Sequence, residues 1–269
     1  MKKLYILIFV VMCAEAVRGQ EGTNSQNLTF SVNNVIFEMV FVEGGTFAMG
    51  CTPEQGNDCL EREKPAHKVT VGNFYIGKYP ITQAQWKAVM EYYPIELHNT
   101  GCDSCPVERV SWEDAQEFIT KLKTLTNKIY RLPTEAEWEF AARGGKKSMG
   151  YKYSGSNNID EVAWYSGNYE RGKYGREGST HPVGIKKPNE LGIYDMSGNV
   201  WEWCMDWYDK SYYEHSPLSG VRGAKMGTRR VVRGGCWRYG ASMCRVSYRN
   251  GHTPNYLYDF IGFRLVLVP

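Results

Sequence analysis

Apolar and polar positions change period several times along the chain, and each period predicts an element. Val35–Val42 is apolar and rich in β-branched residues, Glu43-Gly44-Gly45 offers a turn, and 46–50 returns, which predicts a hairpin. The polar loop 51–66 gives way to 67–76, which alternates as one strand with Val69 and Val71 on a common face. Three helical segments follow. Thr82 caps 83–92. Ser111 opens a second helix with Asp114 three residues on, as a capping box requires, and Ala115, Phe118, Ile119, Leu122 and Leu125 form its apolar stripe. Thr134 opens a third with Glu137 at the matching position, Trp138, Ala141 and Ala142 inward, and Gly144-Gly145 as its stop. Glu135, Glu137 and Glu139 occupy alternate positions, which do not face one another on a helix. They therefore read as caps and structural ion-pair partners. From 146 to 190 no period persists and loop is expected. Residues 191–207 are dense in aromatics, and 263–268 reads as a buried closing strand. No linker or repeat appears after residue 33, so 34–269 is read as one domain, with 17–33 as a flexible lead-in.

Composition narrows the class. The 269 residues carry a net charge of only +3, with both signs dispersed, which gives no electrostatic basis for a nucleic-acid partner. Met1-Lys2-Lys3, an apolar run from Leu4 to Met12 and Ala14-Glu15-Ala16 have the layout of a signal peptide spanning 1–16, with a second possible cut after Gly19. The run is too short to span a bilayer, and nothing later predicts a membrane span. The expected location is periplasmic, cell-surface or secreted, where disulfides form. Of 8 cysteines, Cys13 leaves with the leader. Cys51 and Cys59 bracket a loop they can close, Cys102 and Cys105 form a local staple, and Cys204 and Cys244 are proposed as a pair, with Cys236 as the odd thiol.

The segment 238–261 fits no period. Tyr239, Tyr248, Tyr256, Tyr258 and Phe260 stand among Asn, Ser, Gly, His, Arg and Asp, with no Lys, Glu, Gln or Trp. Rigid aromatics mixed with small adaptable polar residues are the composition of a recognition surface.

Several motifs together resemble a known family. Gly44-Gly45-Thr46-Phe47, Pro80-Ile81-Thr82, the run from Arg131 to Gly145 containing Leu132-Pro133-Thr134-Glu135-Ala136-Glu137-Trp138, Asp195-Met196-Ser197-Gly198-Asn199-Val200-Trp201-Glu202-Trp203, and Arg233-Gly234-Gly235 through Gly262-Phe263-Arg264 are similar, in order, to formylglycine-generating-enzyme (sulfatase-modifying-factor) domains. The resemblance covers about 36–269 and implies a compact, loop-rich α+β fold related to C-type lectins, with short helices around small antiparallel sheets. Catalytic members hold copper between two cysteines separated by four residues. Here a Cys at 236 replaces the usual Ser, and the next is Cys244, so no pair has that spacing. An oxidase reading, converting a sulfatase cysteine to formylglycine, would rest on Cys236 and Cys244 and on copper. The resemblance also implies calcium, held by the side chains of Asp195 and Glu202 and the carbonyls of Gly198 and Val200.

A narrower resemblance is to variable proteins of diversity-generating retroelements, which end this domain in a segment of the same layout. Their variable codons arise by adenine mutation and cannot encode Lys, Glu, Gln, Trp or Met. The segment lacks the first four, and Met243 is the exception. On this reading Arg233, Gly234, Gly235, Arg245, Arg249, Gly262, Phe263 and Arg264 fix the backbone. The segment 236–261 then contacts a protein or other surface ligand through Trp237, Arg238, Tyr239, Tyr248, His252, Asn255, Tyr256, Tyr258, Asp259 and Phe260. Three classes compete: an exported binding module, a formylglycine-type oxidase or other family enzyme, and an accessory protein of an envelope complex.

Overall fold

The computed structural model describes residues 27–169 and 178–269. The expected signal peptide, its alternative cut and the start of the lead-in lie outside the described residues. In chain order the elements are β1 (Leu28–Val32), β2 (Val35–Val42), β3 (Gly45–Met49), β4 (His67–Val71), β5 (Phe74–Gly77), α1 (Gln83–Met90), α2 (Trp112–Thr126), β6 (Tyr130–Arg131), α3 (Glu135–Ala142), α4 (Ile159–Val162), β7 (Trp201–Trp207), β8 (Arg230–Arg233), β9 (Arg249–His252), β10 (Ile261–Gly262) and β11 (Val266–Leu267). They form an α+β fold of short helices and three small sheets. One sheet runs β1-β2-β5-β11-β6, a second β10-β7-β8-β9, and the third is the pair β3-β4. All pairings are antiparallel except β10 on β7. The closing strand is where the chain pattern puts it, with β11 between β5 and β6.

Two strand expectations change. The stretch 17–33 is not all lead-in, because β1 pairs with β2 from Leu28 onward and buries Val32. Nor do β2 and β3 form a hairpin. Strand β2 pairs with β5, and β3 pairs with β4. Two long arms, 35–49 and 67–77, therefore run antiparallel and switch sheets together at Gly44 and Gly72. A Cβ on Gly44 would lie 2.4 Å from backbone atoms of Val71 and Gly72, so the crossing requires glycine there. Asn73 Oδ1 accepts the Gly44 N–H at 2.9 Å and secures the switch. Local turn chemistry is compatible with both pairings, and the long-range partner decides.

The helices start where their caps predict. Thr82, Ser111 and Thr134 each accept the N–H three residues on, while Gln85, Asp114 and Glu137 return the bond. Trp86 of α1 stacks on Phe118 of α2 at 5.5 Å, and Phe118 meets Phe263 edge-on at 5.4 Å, which ties the C-terminal segment to the helical core. Leu125, expected in the α2 stripe, is exposed near the end of the helix. The helix α4 lies in the stretch read as loop. Four residues are too few to show a period. No helix among the described residues is long and apolar enough to cross a membrane.

Candidate functional site

The segment from β8 to β11 interleaves two kinds of residue. The first kind is a set of fully buried arginines. Arg233 donates to Glu139 and to the carbonyls of Val246, Ser247 and Tyr248. Arg245 grips Glu63 with two bonds of 2.7 and 2.8 Å. Arg249 does the same to Glu135 at 2.6 and 2.7 Å, and Arg264 to Glu202 at 2.6 Å twice. Each joins the C-terminal segment to a distant part of the chain. The planar fork fixes both distance and orientation, so these pairs position loops that have no ladder of their own. Burial alone would raise the Glu135 carboxyl, but the charges of Arg249 and Arg233 outweigh it and hold it below the usual range. Glu63 is likewise pushed up by burial and held low by Arg245 and Ser247. Glu135, Glu137 and Glu139 are thus cap and ion-pair partners, as their alternate spacing indicates.

The second kind faces outward. Arg238, Asn255 and Tyr256 are exposed, and Tyr239, His252, Tyr258 and Asp259 are half-buried. Tyr256 stacks on Tyr258 at 5.7 Å, Tyr258 packs at a tilt against Phe260 at 5.0 Å, and Tyr239 meets Phe260 edge-on at 5.5 Å. The exposed rings are therefore preordered by buried ones, which lowers the entropy lost on contact. Three expected contact residues are corrected. Trp237, Tyr248 and Phe260 are 2%, 4% and 6% exposed and belong to the core. Trp237 donates to the Asp259 carbonyl and stacks on His98, and Tyr248 takes a bond from Arg62. Composition cannot say which aromatic of an irregular segment turns inward. One surface residue went unread: Leu257, 45% exposed between Tyr256 and Tyr258. Its signal in the sequence is an apolar residue in a polar loop tip.

Carboxyls lie beneath this surface. Asp259 accepts from Arg238 at 3.3 Å and stands 3.8 Å from His98. Glu108 is fully buried, accepts the Asn99 N–H at 2.8 Å, and has one oxygen with no partner. Burial, with a further push from Asp259, raises its carboxyl to about 7. His252 is held neutral at physiological pH, since burial and then Arg229 push it down to about 4. It contributes a polar, uncharged ring.

The cysteines correct the expected connectivity in part. Cys51–Cys59 and Cys102–Cys105 are disulfides. Cys204 and Cys244 do not pair, and with Cys236 they are buried free thiols. Cys204 is held on β7 in one cluster of buried residues and Cys244 lies in another. Cys244 instead adjoins Cys236, whose backbone N–H faces its sulfur. Burial pushes the Cys244 thiol up to about 12 and Cys236 well above its usual value. Protonated buried thiols are poor nucleophiles and poor metal ligands.

The expected calcium residues are adjacent but committed elsewhere. Gly198 turns at φ +81°, where a Cβ would meet the Trp164 carbonyl at 2.3 Å. Asp195 accepts from the Gly184 N–H and from Asn199. Both Glu202 oxygens are taken by Arg264, and Oε2 also by Trp138 at 2.6 Å. The Arg264 guanidinium already supplies a cation to Glu202, and both carboxylates have protein partners. Among the described residues no group of three or more His, Cys, Asp or Glu could hold a metal.

The model of the sulfatase-modifying factor enzyme 1-like domain matches residues 26–268. The chain is 35% identical to the chaperone protein LppX of Paenibacillus barcinonensis, over 97% of this chain and 98% of that protein. It is 37% identical to the formylglycine-generating enzyme of Thermomonospora curvata, over 86% of this chain and 93% of that one. The solved structure of Treponema denticola variable protein 1 superposes with a TM-score of 0.78 at 30% identity, covering 90% of this chain and 99% of that one. With a matched region that includes nearly every described residue, the chain belongs to the sulfatase-modifying factor enzyme 1-like domain family.

Proposed function

We propose that this chain is an exported binding protein whose segment 236–261 presents a recognition surface for another protein. One observation carries the reading. Within that segment, the residues that hold the fold and the residues that meet solvent are different sets: Arg245 and Arg249 are sealed in ion pairs, while Arg238, Tyr239, Asn255, Tyr256, Leu257 and Tyr258 form a crest above them. Rings ordered from below, with short polar neighbours, supply contact area at low entropic cost. The likeness to a Treponema denticola protein named as variable supports it, and the two disulfides suit an oxidising compartment. A retroelement origin for the segment predicts a near-copy of its coding sequence nearby, differing at adenines, beside a reverse transcriptase gene. Sequencing the flanking DNA tests that. The binding claim is tested with the full chain immobilised against an extract of cell-surface proteins. A Tyr256→Ala/Tyr258→Ala variant with unchanged melting should lose the captured protein, and undiminished capture would refute the surface.

A second reading, an oxidase of the formylglycine-generating type, is favoured by the Thermomonospora curvata relative. It requires Cys236 and Cys244 to act as thiolates, against their burial. Incubation with copper and a Cys-x-Pro-x-Arg peptide is expected to leave the peptide mass unchanged. Conversion of its thiol would establish the oxidase.

A further inference from the structure

A cavity of about 150 Å³ opens beside the crest, lined by Trp86, Tyr92, Pro94, Ile95, Arg109, Val110, Asp114 and Leu257. It lies where the end of α1, the loop after it, the start of α2 and the tip of the C-terminal segment meet. The tip is laced to this region through its backbone: the Arg109 N–H donates to the Tyr258 carbonyl at 2.9 Å, and the Trp112 N–H to the Pro254 carbonyl at 2.8 Å. Cavity and crest are therefore continuous, sharing Leu257.

The lining defines the occupant. Its rim is apolar and open to solvent, with Ile95 80%, Tyr92 45% and Leu257 45% exposed. Isolated exposed apolar residues need no explanation, but three around one concavity mark an interaction site. The charged side chains of the lining already have partners. Arg109 pairs with Glu96 at 3.3 Å, and Asp114 accepts the N–H and the hydroxyl of Ser111 at 2.8 and 2.7 Å. Trp86 and Val110, each 1% exposed, add buried apolar surface to the lining.

We infer that this cavity receives an aliphatic or aromatic side chain of the partner protein, Leu- or Phe-like and uncharged. The inference rests on the recognition reading and names the partner's chemistry: an apolar anchor rather than a charged or sugar group. An apolar side chain seated in a pocket continuous with the aromatic crest serves as a buried anchor of the interface.

The probe is N-acetyl-leucine methylamide, with N-acetyl-alanine methylamide as the control that lacks the anchor, followed by ligand-observed NMR on the full chain. At the efficiency typical of small ligands, saturable binding is expected with a dissociation constant on the order of 1 mM. The alanine analogue should bind at least about fivefold more weakly. Ile95→Asp, at an exposed position that leaves folding intact, should abolish leucine-probe binding. Tyr256→Ala should leave probe affinity unchanged yet reduce capture of the cell-surface protein. Absence of saturable binding, equal affinity for both analogues, or an unchanged affinity in Ile95→Asp would each overturn the anchor pocket and leave the crest standing. Probe binding that Ile95→Asp removes, with cell-surface capture untouched by both Ile95→Asp and Tyr256→Ala, would instead overturn the recognition reading.

Discussion

The arginine frame and the aromatic crest occupy the same thirty-odd residues and obey opposite rules. Arg233, Arg245, Arg249 and Arg264 are fully buried, and their partners Glu139, Glu63, Glu135 and Glu202 lie far away in sequence. Tyr256, Leu257 and Asn255 touch solvent and are held by stacking and by backbone bonds of the segment itself and of the loop 109–112. The frame tolerates no change in charge, because removing one partner strands a buried ion. On the proposed reading, the crest changes its side chains while the backbone beneath keeps its register. A loop-rich domain can thus present a variable surface if the invariable contacts are ionic, directional and placed below it.

The largest effect should come from breaking the frame. Arg249→Met leaves Glu135 buried and unpaired and is expected to lower stability by about 3–5 kcal/mol, read as a collapse of the urea midpoint. Arg249→Met with Glu135→Met should recover most of that. A single variant that melts like the parent would show that the pair is ornamental.

Acidity separates the two regions next. Glu135 and Glu63 are held low, so their contribution is present above the ordinary carboxylate range and fades as pH falls through their folded values. Glu108 is the reverse. Its folded value is raised to about 7, so its contribution is full below its unfolded value and is lost as pH rises through about 7. Glu108→Gln should remove a loss of about 3 kcal/mol between mildly acidic and mildly alkaline pH and stabilise the chain at pH 8. Parallel stability–pH curves for parent and variant would refute this.

A smaller effect is expected from the loop that receives Arg245. Cys51–Cys59 closes a separation of 8 residues, and within that loop the Asp58 carbonyl accepts from Arg245 at 3.1 Å. Replacing both cysteines by Ala should cost about 2 kcal/mol from chain entropy, more if Arg245 loses its seat, and calorimetry would read it. At the bottom of the scale, Tyr256→Ala/Tyr258→Ala should move stability by less than about 1 kcal/mol, and EDTA should leave the melting temperature where it was. A chelator-induced drop of several degrees would restore the calcium site at Asp195 and Glu202.

What was legible in the sequence was local. Thr82, Ser111 and Thr134 each announce a helix within four residues, and all three helices begin there. The closing strand and the short-range cystine pairs were equally plain. What failed was the choice of long-range partner. The sequence up to Gly50 suits a hairpin, and only the presence of 67–77 makes β2 and β3 part company. Cys204 and Cys244 both sit in core-like sequence, yet they belong to different buried clusters. In the site, the framework arginines were readable from their motifs, but their partners were not, since Glu63 and Arg245 are 182 residues apart. Nor could composition divide Trp237, Tyr248 and Phe260 from Tyr239, Tyr256 and Tyr258, because orientation in an irregular segment is set by what lies beneath it.

The central claim, that fold and recognition are separable within one segment, is tested most directly by protease resistance of two displayed full-chain libraries. One randomises Arg238, Tyr239, Asn255, Tyr256 and Tyr258, and the other Arg233, Arg245, Arg249 and Arg264. Most members of the first are expected to resist cleavage like the parent, and almost none of the second. Equal survival of the two libraries would contradict the account.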